Sequence, residues 1–142
     1  MSTPVRVVVV SEEATERQDL TRALDGLPGI ETVAEVDLVC EMGKQAGNID
    51  TDCVVLDIDR YPLAGTLGLA QARGTFPGAR VIVLARSIHP RFLQFLKDSG
   101  GSCCIDKDDP GKLTHLISAL LMVAPGAGLT ISQVDVVSEV RE

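Results

Sequence analysis

The stretch DCVVLDIDR (52–60) decides the fold. Cys53 to Leu56 form an unbroken run of apolar residues, which predicts a strand covered on both faces. The run stops on Asp57, and Asp59 follows two places on. A strand buried on both sides that delivers a carboxylate at its end raises the question of what that end is for.

Working outward, the same kind of strand recurs. VRVVVV (5–10) is continuous and β-branched, and it predicts a central first strand. Leu20, Ala23, Leu24 and Leu27 then fall at helical spacing over 14–27, with Pro28 and Gly29 ending the helix. IETVAEV (30–36) alternates as an edge or half-buried strand does. A short helix is expected over 38–46, closed by Gly47. After the 53–57 strand come Pro62 and Gly65, a helix over about 66–75, and a stop at Pro77 and Gly78. ARVIVLA (79–85) is a further buried strand. Pro90 opens a helix with Phe92, Phe95 and Leu96 on one face, and SCCI (102–105) is a short strand. Pro110 suits the first turn of a last helix that buries Leu113, Leu116, Ile117, Leu120 and Leu121.

The order βαβαβαβαβα favours an α/β, doubly wound fold with five parallel strands and helices on both faces. In such sheets the functional crevice lies beyond the carboxyl ends of the strands. The residues there are Ser11, Glu12 and Glu13 after the first strand, Asp57 and Asp59 after the third, Ala85, Arg86 and Ser87 after the fourth, and Asp106 and Lys107 after the fifth. Glu12, Asp57 and Lys107 are expected to converge. Two carboxylates and an ammonium suit a divalent cation, magnesium above all, together with a phosphoryl group. Equally, strand-end loops often carry solvated acids, so no single one of these residues is diagnostic.

Composition bounds the rest. The chain has 142 residues, 45% hydrophobic and 23% charged, which predicts one domain with one core. A net charge of −7 with 3% aromatics opposes a nucleic-acid surface. The four cysteines, Cys40, Cys53, Cys103 and Cys104, lack CxxC spacing, and a reduced, cytoplasmic protein is expected. No apolar run is long enough to span a bilayer, and no cleavable signal pattern opens the sequence. VAPGAG (123–128) reads as a linker, giving a domain over 1–123 and a C-terminal tail over 124–142. His115 is expected on the exposed side of the last helix, and His89 has no ligand partner at metal spacing.

The motifs VVLDID, ARVIVLA and GGSCCIDKD, with Gly65 eight places after Asp57 and LTIS (129–132) after the last helix, resemble the receiver domain of two-component response regulators. The likeness is to the NarL/FixJ (LuxR-type) branch and covers residues 5 to about 130. It implies a flavodoxin-like (βα)5 receiver with strand order 2-1-3-4-5. It also implies a phosphoacceptor at Asp57, a lysine at Lys107, and an acidic pair at the positions of Ser11 and Glu12. Switch residues are implied at Ala85 (a Thr or Ser in the family) and Cys104 (an aromatic in the family), and Tyr61 stands where proline is common, with Pro62 one place later.

The departures have physical consequences. Ser11 is neutral and removes one unit of attraction for a cation, while Glu12 is a methylene longer than aspartate. Ala85 cannot donate to a phosphoryl oxygen, which forfeits roughly 1.5–3 kcal/mol of charge-assisted bonding. Ser87 is the nearest hydroxyl that stands in for it by sequence. Cys104 is too small to serve as a rotating lever. Glu12, Asp57 and Asp59 form the tentative metal set, and without metal they repel and raise a pKa among themselves, leaving Lys107 as the counter-ion. The resulting expectation is an atypical, non-enzymatic receiver acting through protein–protein contacts, largely independent of phosphorylation, with magnesium bound weakly or not at all. Regulation of transcription is the expected output. Expected partners are a histidine kinase and a second response regulator, as homodimer or heterodimer, with no direct nucleic-acid or membrane contact by this domain.

Two alternatives stay open. One is a conventional magnesium-dependent receiver phosphorylated on Asp57. The other is a Toprim-like metal-dependent phosphotransfer enzyme, because Glu12 and Asp57-x-Asp59 resemble its Glu and DxD. Against the latter, Toprim domains place Gly where this chain has Glu13.

Overall fold

The computed structural model describes residues 4–58, 62–86, 90, 91, 94, 102–122 and 135–136. Its strands are β1 (Val5–Ser11), β2 (Ile30–Val36), β3 (Cys53–Ile58), β4 (Arg80–Ala85), β5 (Ser102–Asp106) and β6 (Asp135–Val136). Its helices are α1 (Ala14–Asp25), α2 (Met42–Ala46), α3 (Pro62–Thr75) and α4 (Lys112–Met122). All strand pairs are parallel, in the order β2-β1-β3-β4-β5-β6. The first five follow the flavodoxin-like order 2-1-3-4-5.

The side-chain period of two sorts each strand between two cores. On one face Val7, Val9, Cys53, Val55, Ile82, Leu84, Cys103 and Ile105 pack with Leu24 of α1 and with Leu116 and Leu120 of α4. On the other Val8, Val10, Val54, Leu56, Val83 and Cys104 pack with Met42 and Ala46 of α2 and with Leu69 and Ala72 of α3. β3 is buried along its whole length, as its composition demands. β2, at the sheet edge, alternates and stays half-exposed at its centre.

Several details differ from expectation. α3 begins at Pro62, four residues before the predicted start, because proline's missing N–H costs nothing in a first turn. α1 stops at Asp25 with Gly26 as its cap, so the left-handed Gly29 (φ 85°) serves the turn into β2 rather than the helix end. Leu113 and Leu121 were expected inside, yet they are 39% and 47% exposed. The apolar stripe of α4 is wider than the surface it can cover, and only its centre, Leu116 and Leu120, is fully buried. β6 comes from the segment read as a tail, and its two residues pair with Cys103 and Cys104. Close approach of α3 to β3 depends on Gly68, where a Cβ would lie 2.8 Å from Leu56 Cδ2. Phe92, Phe95, His89, Tyr61 and Ser87 lie outside the described residues.

Candidate functional site

Three strand ends deliver polar side chains by parity. Ser11 continues the row of Val7 and Val9, Asp57 that of Cys53 and Val55, and Lys107 that of Cys103 and Ile105. All three therefore point to the face covered by α1 and α4. Ser11 and Asp57 are direct register partners, and the Ser11 hydroxyl donates to Asp57 Oδ2 at 2.9 Å. β4 lies between β3 and β5, so Lys107 reaches across it to place Nζ 2.6 Å from Asp57 Oδ1. The Lys107 backbone N–H donates to the Ala85 carbonyl at 2.9 Å, which fixes the root of that side chain. These are the only three buried polar or charged residues among those described.

A fourth member, Glu16, was not anticipated from sequence. It stands in the first turn of α1, and its Oε2 lies 2.6 Å from Lys107 Nζ. Its other oxygen meets Arg86 Nη2 at 3.1 Å, and Arg86 Nε lies 3.4 Å from Asp108 Oδ1. The charges alternate along Asp57, Lys107, Glu16, Arg86 and Asp108. The available signal was topological: the N-terminus of a helix following β1 must also lie at the carboxyl edge. Arg17, one residue on, donates to the Ser11 carbonyl at 2.8 Å and lies 3.6 Å from Glu35 of β2.

Burial is the leading influence on Asp57 and raises its pKa above the usual carboxylate value; Lys107 and Ser11 oppose this, and the Glu16 charge adds to it. For Lys107 burial alone would lower the pKa, but its bonds to Asp57 and Glu16 outweigh that and raise it. Burial likewise pushes the Cys104 thiol up to about 12, so it is an inert apolar residue.

The remaining predicted positions are placed as follows. Glu12 is exposed, and its Oε2 accepts the Val39 N–H at 3.4 Å rather than joining Asp57. Asp59 lies outside the described residues. No group of three His, Cys, Asp or Glu side chains suited to a metal occurs among the described residues. Of the tentative metal set, Asp57 alone is therefore placed in the crevice. Ala85 and Cys104 are buried together in the opposite core, with Leu56 and Ile58. His115 is half-buried rather than solvated, with Nε2 3.5 Å from Asp109 Oδ2. Between α1 and α4 a cavity of about 300 Å³ opens above the site, lined by Glu16, Asp19, Leu20, Asp57, Lys107 and Leu113 among others.

The doubly wound parallel sheet thus holds a buried aspartate–lysine pair at its carboxyl edge. No protein-family model matches the chain. It is 29% identical over 119 residues to the nitrate/nitrite response regulator protein NarP of Escherichia coli, covering 83% of this chain and 55% of NarP. The chain thus spans about half the length of that curated relative. The signal receiver domain of the response regulator NarL from Mycobacterium tuberculosis superposes with a TM-score of 0.69 at 26% identity, over 87% of this chain and 98% of that one. The isolated REC domain of RcsB from Salmonella enterica serovar Typhimurium, determined with phosphomimetic BeF3-, gives 0.70 at 16% identity, over 84% and 89%. The chain is thus similar to response-regulator receiver domains of two-component signalling, those of the NarL branch among them.

Proposed function

We propose that this receiver transmits its signal through protein–protein contacts largely without phosphorylation. The observation that supports this most is the closure of Asp57. Its side chain is 1% exposed, with one oxygen on the Ser11 hydroxyl and the other on Lys107. Phosphorylation needs that carboxylate free to attack phosphorus, and a cation beside it to neutralise the charge that develops. A neutral Ser11, a Glu12 engaged at Val39 and an alanine at position 85 favour neither requirement.

In this reading magnesium binds weakly or not at all, and the domain itself catalyses nothing. A homodimer, or a heterodimer with another response regulator, carries the signal to an output, with transcription as the expected one and the cytoplasm as the compartment. The other reading, a magnesium-dependent phosphoacceptor served by a histidine kinase, is favoured by one fact: Asp57 and Lys107 are both in place at 2.6 Å. Sedimentation velocity of the protein with magnesium and beryllofluoride, against an Asp57→Asn control, separates the two. The expected result is an unchanged sedimentation profile in both proteins. An Asp57-dependent change of oligomeric state would overturn the proposal.

A further inference from the structure

We infer that Glu16 is an internal anion that takes, on Lys107 and Arg86, the place that a phosphoryl group on Asp57 would otherwise claim. The inference rests on the phosphorylation-independent reading and names what stands in for the phosphate. A phosphoryl group recruits cations: a lysine ammonium as a point charge, an arginine as a planar fork. Here the Glu16 carboxylate already engages one of each, at 2.6 Å and 3.1 Å. Those two cations sit at the ends of β5 and β4, so one carboxylate on α1 gathers both strand ends.

The Lys107 N–H to Ala85 carbonyl bond makes the two ends move together. Ala85 offers no hydroxyl to tether β4, and the neighbouring Arg86 supplies the tether through Glu16. The same carboxylate also works against a second anion. Asp57 Oδ1 and Glu16 Oε2 share one ammonium, so they lie within roughly 5 Å of each other, the span of two hydrogen bonds. Charge added to Asp57 would meet Glu16 across that gap, a separation at which two like charges repel. Glu16 therefore both holds the strand ends and disfavours occupation of Asp57 by phosphate.

The test reads beryllofluoride binding by fluorine NMR in magnesium buffer. Four proteins are compared: the natural sequence, Ser11→Asp, Ser11→Asp with Glu16→Gln, and Ser11→Asp with Glu16→Asp. Glu16→Gln keeps shape and hydrogen bonding while removing the charge, and Glu16→Asp keeps the charge but withdraws it by one methylene. The glutamine double variant is expected to bind at least about tenfold tighter than Ser11→Asp alone, equivalent to about 1.4 kcal/mol, with the aspartate variant between them. A residue that merely supported the fold would give weaker binding when altered, not tighter. Equal or weaker binding in both double variants overturns the role of Glu16 and leaves the phosphorylation-independent reading standing. Tight binding by the natural sequence overturns that reading itself.

Discussion

Replacing Lys107 with alanine is expected to lower the unfolding free energy by about 3–5 kcal/mol in mildly alkaline buffer, as measured by urea titration. The side chain is 5% exposed and lies between Asp57 at 1% and Glu16 at 28%. Removing it leaves a buried carboxylate whose chief neutralising partner is gone, and a second carboxylate facing it. The loss depends on pH in a defined direction. Asp57 already titrates above its unfolded value, and the lysine is the main influence holding it down against burial.

Without that lysine the folded-state pKa of Asp57 rises further. A group with a raised folded pKa contributes stability that is fully present below the unfolded pKa and lost as pH climbs through the folded one. The deficit of the alanine variant should therefore shrink as the buffer is made acidic, because Asp57 takes up a proton. Lys107→Met, which restores volume without charge, should follow the same pH trend. A deficit independent of pH would mean that packing, not charge, gives Lys107 its importance.

Ser11→Asp is expected to convert the site into one that needs magnesium. The new carboxylate would stand beside Asp57, where the serine hydroxyl now lies 2.9 Å from Oδ2. Two carboxylates at that separation disfavour joint ionisation, and a destabilisation of about 2 kcal/mol is expected in chelator. Magnesium should reverse it, by about 2.7 kcal/mol at about a hundred times its Kd. Thermal denaturation across a magnesium series gives the answer. If the natural protein and Ser11→Asp respond to magnesium equally, the loss of charge at position 11 is not what weakened the site.

The fold was legible because its signals are redundant. Unbroken apolar runs at 7–10, 53–56 and 81–85 each require cover on two faces, which an alternating α/β sheet supplies. The same topology located Asp57 and Lys107, since strand ends of a doubly wound sheet converge whatever their side chains are. Direction was harder to read. Glu12 follows β1 directly, but parity turns Ser11 toward Asp57 and leaves Glu12 to the loop before α2, where Val39 N–H meets it. Glu16 was hidden because a glutamate on the polar face of an amphipathic helix is indistinguishable by pattern from its solvated neighbours. Only the pairing with Lys107 and Arg86 sets it apart, and those residues are distant in sequence. The exposure of Leu113 and Leu121 was missed for a related reason: spacing defines an apolar stripe but not how much of it the sheet can cover. Asp135 and Val136 fall in the segment read as a tail, and their place beside β5 is a tertiary outcome.

The most direct measurement is the intact mass of the protein after incubation with magnesium and acetyl phosphate, alongside an Asp57→Asn control. A carboxylate closed off by Ser11 and Lys107, with Glu16 opposing added charge, should remain unmodified while a conventional receiver treated in parallel gains a phosphoryl group. A stoichiometric phosphoryl adduct that disappears in Asp57→Asn would contradict phosphorylation-independence outright.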